Sequence, residues 1–112
     1  MSAQWNQEIF NEFIRLRDAL RTAKRDKNYQ NVLALGLSVI ELDKTAGFIK
    51  IATYIFLKEM ASASVQLGDT NAAVSYLLAA KQKLHEQKGS TADWQKVVDV
   101  IERKLKKLQA NA

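Results

Sequence analysis

The chain contains no proline and only four glycines among its 112 residues. An all-β fold needs frequent turns, and proline and glycine supply many of them. The composition therefore favours α-helices joined by short connections. A chain of this length is expected to form a single domain, which we predict to span residues 1–112.

Apolar residues recur along the chain at the spacing of amphipathic helices. This periodicity predicts five helices, at about 4–25, 28–42, 46–66, 70–87 and 91–110. Asn28 and Asp69 are expected to cap the second and fourth helices at their N-termini. Gly68 is expected to end the third helix and Gly89 the fourth, with a capping box at 90–93 for the fifth. Such short connections predict largely antiparallel packing.

The predicted third helix is apolar on nearly all of its surface. Its apolar residues are Phe48, Ile49, Ile51, Ala52, Tyr54, Ile55, Phe56, Leu57 and Met60. A helix of this kind is either central in its fold or part of an interface, so a homodimer through this helix is one of two open alternatives. The longest apolar stretch, 48–57, is too short to span a membrane and contains Lys50.

Three features of the sequence favour a cytoplasmic protein. The chain has no cysteine, and therefore neither a disulfide nor a thiolate metal site. Residues 1–6 lack the charged and apolar regions of a secretory signal. No stretch is a candidate for a membrane span.

The net charge of +5 is concentrated near the two ends of the chain. The basic residues concerned are Arg15, Arg17, Arg21, Lys24, Arg25 and Lys27 near the start, and Arg103, Lys104, Lys106 and Lys107 near the end. Such clusters can contact nucleic acid, and a basic nucleic-acid-associated helical protein is the alternative function. They can also be solvated helix faces, which is the interpretation that we favour.

The sequence carries no pattern typical of an active site. His85 is the single histidine, and without cysteine or a second histidine it is a poor candidate for a zinc or iron ligand. The carboxylate pairs Glu8/Glu12 and Asp99/Glu102 have basic neighbours at helical spacing, whereas acid–base catalysis needs a desolvated pair. There is no glycine-rich phosphate loop and no HExxH motif. We therefore predict a protein that is not an enzyme and that binds no cofactor or metal.

The second and fourth predicted helices share a pattern of residues. It is Asn28-Tyr29-Gln30-Asn31-Val32 followed by Val39-Ile40-Glu41-Leu42-Asp43 in one, and Gly68-Asp69-Thr70-Asn71-Ala72-Ala73 followed by Tyr76, Leu77 and Ala80 in the other. The helices upstream match in spacing, with Leu16, Ala19, Leu20 and Ala23 against Leu57, Met60, Ala61 and Ser64, and with Trp94, Val97, Val98 and Ile101 in the fifth. The pattern resembles the tetratricopeptide repeat (TPR).

The resemblance implies an all-α, TPR-like stack of right-handed helical hairpins. Its two pairs would span about 4–42 and 46–87, with a capping helix at about 91–110. Val32 and Ala73 are equivalent and lie 73 − 32 = 41 positions apart, against about 34 in the family. Lys44 stands where the family has a turn-forming proline, and Gly36 where it has an apolar residue.

In TPR proteins the first helix of each pair lines a concave groove that receives a peptide of a partner. The resemblance therefore implies a groove formed by the first, third and fifth helices here. The partner-binding residues that it implies are Ile14, Arg17, Arg21 and Lys24 on the first helix, Ile55, Lys58 and Ser62 on the third, and Lys96 on the fifth. This mixture of cationic and apolar groups suits an acidic, partly apolar protein segment. We predict a protein–protein interaction or scaffolding module, while ordinary solvated charges remain the other interpretation of the same residues.

Overall fold

The computed structural model describes residues 6–45, 52–86 and 93–110. In these three segments the secondary structure is helical, with no strand. The helices are α1 (Gln7–Arg25), α2 (Tyr29–Thr45), α3 (Thr53–Gln66), α4 (Thr70–Glu86) and α5 (Trp94–Ala110). The prediction of an all-α fold is confirmed.

Two predicted helix boundaries are wrong. The second helix was expected to end near 42, but α2 continues to Thr45, whose hydroxyl donates to the Leu42 carbonyl oxygen at 3.0 Å. The third was expected from about 46, but the backbone of Ala52 is not helical (φ −76°, ψ 71°) and α3 begins at Thr53. At the end of α2 the apolar pattern stops at Leu42 while the helix continues through polar residues, and at the start of α3 the apolar pattern runs across position 52, where the backbone changes. Periodicity alone therefore could not mark either boundary.

Some predicted features lie outside the described residues. They are the apolar residues Phe48, Ile49 and Ile51, the stop at Gly89, and Ser90, Thr91 and Ala92 of the capping box.

The turn between α1 and α2 is closed by a left-handed residue. Lys27 has φ 58°, and the next amide, that of Asn28, donates to the Ala23 carbonyl oxygen at 2.8 Å. The Asn28 side chain then accepts from the Asn31 amide at 3.3 Å, which begins α2. One turn therefore ends one helix and starts the next, and the predicted cap at Asn28 is confirmed.

The turn between α3 and α4 has the same construction. Gly68 has φ 80°, and the Asp69 amide donates to the Ser64 carbonyl oxygen at 2.9 Å. The Asp69 carboxylate accepts from the Ala72 amide at 3.0 Å. Each of these positions follows its counterpart in the first turn by 41 residues, and the predicted roles of Gly68 and Asp69 are confirmed.

Burial repeats with the same spacing. Six pairs of positions 41 apart that relate α1–α2 to α3–α4 are buried in both members, namely Leu16/Leu57, Leu20/Ala61, Ala23/Ser64, Val32/Ala73, Gly36/Leu77 and Val39/Ala80. The segments α1–α2 and α3–α4 are therefore two copies of one packing pattern, although few of the paired residues are identical.

Each helix packs against the helix that follows it in the chain. The molecule measures 47 × 32 × 19 Å, and a helix with its side chains is about 10 Å across, so the smallest dimension accommodates two helices. Helix α3 contributes to both clusters of the hydrophobic core, one shared with α1 and α2 and one shared with α4 and α5. Seven of its 14 residues are buried, which explains why its sequence is apolar on several sides.

Candidate functional site

A groove of about 290 Å³ lies between α1 and α3. We call it the α1–α3 groove, and it is lined by Phe13, Arg17, Leu20, Arg21, Lys24, Ala52, Ile55, Phe56 and Glu59. Its floor is set by the rings of Phe13 and Phe56, which meet edge to face with centroids 6.0 Å apart. Above this floor Ile55 is 46% exposed, so the groove offers apolar surface to a ligand.

The charged rim of this groove is mainly cationic. Arg17, Arg21 and Lys24 lie along one side of α1, at the spacing that places residues of a helix above one another. The only carboxylate lining the groove, that of Glu59, accepts from the Lys24 ammonium at 3.0 Å across the two helices. Arg17 also lies 3.3 Å from the Asp18 carboxylate, which is outside the groove and more exposed.

Four of the eight partner-binding residues predicted from the sequence line the α1–α3 groove: Arg17, Arg21, Lys24 and Ile55. Ser62 lies further along α3 and lines two neighbouring cavities. Ile14 is half-buried on α1 and Lys96 is exposed on α5. Neither of these two lines the groove or its neighbouring cavities.

Lys58 lies on α3 toward α5. Its burial lowers the pKa of its ammonium group, and the nearby charge of Lys104 lowers it further, while Glu59 acts in the opposite direction. The residue that corresponds to Arg17 in the repeat therefore faces a second cationic helix, and not the Arg17 side of the groove alone.

A second cavity, of about 250 Å³, lies where α3, α4 and the end of α5 meet. We call it the α3–α5 pocket, and it is lined by Ala61, Ser62, Val65, Gln66, Leu77, Lys104, Lys107 and Leu108. Sequence reasoning assigned Lys104 and Lys107 to a solvated face and missed this pocket. Leu108 was the available signal, because it follows Lys104 by four positions, the spacing that places two residues on one face of a helix.

A third cavity connects the first two. It is lined by Lys24, Lys27, Tyr29, Val32, Glu59, Ser62, Ala63 and Gln66. It shares Lys24 and Glu59 with the α1–α3 groove, and Ser62 and Gln66 with the α3–α5 pocket. The three cavities are therefore adjacent along α3, and we call the surface that they form together the trough.

The carboxylates considered for catalysis are placed as surface groups. Glu12 forms an ion pair with Arg15, whose side chain also donates a hydrogen bond to it. This hydrogen bond holds the pKa of the Glu12 carboxyl below its usual value. A general acid needs the opposite shift. His85 is exposed and packs edge to face on Trp94 with ring centroids 5.6 Å apart, joining the end of α4 to the start of α5.

The described segments contain no cluster of three or more His, Asp or Glu side chains placed to hold a metal ion. None of their helices combines the length and apolar character that crossing a bilayer requires.

Six large apolar side chains are exposed in the described segments: Leu37, Ile55, Val65, Leu67, Leu78 and Val100. They are distributed over α2, α3, α4, α5 and the turn that follows α3, so no single helix presents them all. A homodimer through α3 remains one of the two alternatives that the sequence leaves open.

We compared the chain with models of protein families, with curated proteins and with solved structures, and none of them matches it. The resemblance to TPR proteins thus rests on the residues quoted in the sequence analysis.

Proposed function

We propose that this protein is a non-enzymatic protein-interaction module that binds an acidic, partly apolar segment of a partner in the α1–α3 groove. The observation that carries the proposal is the composition of the groove. Three cations surround an apolar floor, and the one carboxylate present is already paired with Lys24. Such a surface attracts carboxylates at its rim and apolar side chains at its centre.

We further propose that the fold is a TPR-like, right-handed stack of antiparallel hairpins. The two matching turns, each with a left-handed residue followed by a capping Asn or Asp, support this arrangement. So does the repeat of burial at a spacing of 41 residues. In such a stack α1, α3 and α5 would share one face, and the groove would belong to that face. The proposal places the protein in the cytoplasm, in keeping with its lack of cysteine.

The direct test is a selection from a displayed library of random peptides on the immobilised protein. We expect enrichment of sequences that combine Asp or Glu with large apolar residues. Reversing both Arg17 and Arg21 to Glu should weaken the selected peptides by at least about tenfold, because interfacial charge reversals cost more than about 1.4 kcal/mol. Thermal unfolding of the variant should be unchanged within about 0.5 kcal/mol, since both residues lie on the surface.

The matched control reverses Arg103 and Lys106 to Glu. Both line a separate cavity between α4 and α5, so peptide binding should be kept. The alternative nucleic-acid function is correct if the native protein retains a mixed-sequence RNA or DNA with an affinity that falls linearly with salt on logarithmic axes, and if the Arg17/Arg21 variant and the Arg103/Lys106 variant both lose this retention. Peptides that bind equally well to the Arg17/Arg21 variant would place the binding surface outside the groove.

A further inference from the structure

The trough across α3 has apolar surface at both ends. In the α1–α3 groove this surface is Ile55 above the two phenylalanine rings. In the α3–α5 pocket it is Val65, which is 44% exposed, together with Leu77 and Leu108, which line the same pocket. Between the two ends, α3 contributes the small, exposed side chain of Ser62. Gln66 is the other residue of α3 that lines the cavities on both sides of this point, so a ligand that passes there meets only uncharged polar side chains of α3.

The trough is strongly cationic along its length. Arg17, Arg21 and Lys24 line the α1–α3 groove, Lys24 and Lys27 line the third cavity, and Lys104 and Lys107 line the α3–α5 pocket. Glu59 is the single carboxylate among all of these lining residues, and it is paired with Lys24. Neither Lys104 nor Lys107 forms an ion pair with any residue in the described segments. The carboxylates of an acidic ligand would provide ion-pair partners for Lys104 and Lys107.

We propose that the α3–α5 pocket is a second anchor site for the same acidic partner segment that occupies the α1–α3 groove. This inference rests on the proposed function. The segment would insert one apolar side chain beside Ile55 and another beside Val65, with carboxylates facing the lysines and arginines between them. Ile55 and Val65 are 65 − 55 = 10 positions apart on one helix, which corresponds to a rise of about 15 Å.

Two anchors on one segment make a definite demand on the partner. An extended chain rises about 3.3 Å per residue, so its two apolar residues would be about four to five positions apart. A helical segment would need about ten positions. In either case the second anchor binds at a high effective concentration once the first is in place, so losing one anchor weakens binding without abolishing it.

The test uses peptides enriched on the native protein and synthesised in matched forms. One form keeps both apolar residues, and each of two others replaces one of them with serine. Their affinities are measured for the native chain and for the Val65→Asp, Ile55→Asp and Leu78→Asp variants. Leu78, on α4, is 50% exposed and lines neither end of the trough, so Leu78→Asp controls for an added surface charge on an exposed apolar position.

We expect Val65→Asp to weaken the two-anchor peptide by about tenfold or more, and Leu78→Asp to leave it unchanged. The decisive result is non-additivity. The peptide that lacks the second anchor should bind Val65→Asp and the native chain about equally, because the contact has already been removed. In amide NMR spectra of the complex, the signals of both Ile55 and Val65 should shift.

Three results would overturn the inference. Equal binding of the two-anchor peptide to Val65→Asp and the native chain leaves the proposed function intact but removes the second site. An equal loss for every peptide form shows that Val65→Asp acts through folding or through its added charge, and that Val65 is not an anchor contact. No enrichment of acidic, apolar peptides on the native protein removes the second site and the proposed function together.

Discussion

Lys58 carries a positive charge in surroundings that oppose it. Burial and the charge of Lys104 both lower the pKa of its ammonium group, and the opposing effect of Glu59 does not cancel them. A residue selected only for folding would avoid this position. Lys58 lines none of the three cavities, and its positive charge is held beside α5 at some expense of stability.

Replacing Lys58 with methionine should therefore stabilise the protein. The substitution keeps the aliphatic stem and removes the opposed charge. Because Lys58 is only partly buried, solvent screening limits the expected gain to about 0.5 kcal/mol. Because the pKa of Lys58 is lowered in the folded chain, the folded chain loses this proton at a lower pH than the unfolded chain does. The stability of the native protein therefore rises with pH in the alkaline range, and the stability gained by Lys58→Met should shrink there.

Thermal unfolding of both proteins at several pH values measures this difference. Lys44→Met serves as the control, since Lys44 is exposed and lies 3.0 Å from the Glu41 carboxylate. That variant should show no gain in the free energy of unfolding. A Lys58→Met protein that is less stable than the native one at neutral pH would contradict the argument.

Gly36 is a second residue whose role is visible only in three dimensions. A Cβ atom at this position would lie 2.5 Å from Cγ and from Sδ of Met60, which is fully buried on α3. The absence of a side chain thus permits the close approach of α2 and α3. The apolar residue that TPR proteins have at this position would not fit here.

Gly36→Ala should destabilise the protein, although alanine favours helix formation by about 1 kcal/mol over glycine. Overpacking a core costs about 1–3 kcal/mol, which exceeds that gain when the neighbour has no free space. Urea denaturation measures the loss. Ser38→Ala, at an exposed position of the same helix, should show no comparable loss, and a stabilised Gly36→Ala would mean that Met60 repacks freely.

The turn between α1 and α2 and the turn between α3 and α4 differ in the residue that holds the left-handed position. Lys27 and Gly68 hold the same left-handed position 41 residues apart. A residue with a Cβ atom is strained there by about 1 kcal/mol, whereas glycine is not. No atom lies within 4 Å of a Cβ built on Gly68, so any effect at that site comes from the backbone alone.

Lys27→Gly should raise the free energy of unfolding by about 0.5–1 kcal/mol, and Gly68→Ala should lower it by a similar amount. Urea denaturation of the two variants and of their combination provides the measurement. The double variant should be close to the native protein, since the sites are on different turns and their effects should add. Changes of the same sign in both single variants would show that the turns are not equivalent.

The elements predicted correctly from the sequence are those with local chemical signals. Asn28 and Asp69 announce helix starts because a side-chain oxygen can accept from an amide three positions on. The start of α3 at Thr53 has no such signal, since Ala52 makes no side-chain cap. The site followed the same rule. Helix spacing places Arg17 and Arg21 on one face of α1, and the resemblance to TPR proteins implied that Ile55 shares their groove. The pocket at Lys104 and Lys107 depends on how α5 meets α3, which periodicity does not specify.

At the scale of the whole molecule, α5 is the element on which the second core cluster depends. It buries Val98, Ile101 and Leu105 in the cluster that also holds Leu77 and Leu84 of α4. It also supplies Lys104 and Lys107 to the trough. The same helix therefore completes the core on one side and the proposed binding surface on the other.

A chain ending before α5 should lose cooperative folding. Without this helix the apolar face of α4 is open to water, and a repeat stack that lacks its terminal cap exposes hydrophobic surface and tends to aggregate. We expect a broad thermal transition, binding of a hydrophobic dye and loss of near-ultraviolet circular dichroism with helix content partly kept. Two full-length variants test whether the buried face of α5 is what stabilises the fold. Ile101→Asp, at a fully buried position, should reproduce the defect. Val100→Asp, at the exposed neighbouring position, should unfold like the native chain. A sharp, cooperative transition in the shortened chain would show that α1 to α4 form a complete domain and that α5 is an appendage of the binding surface alone.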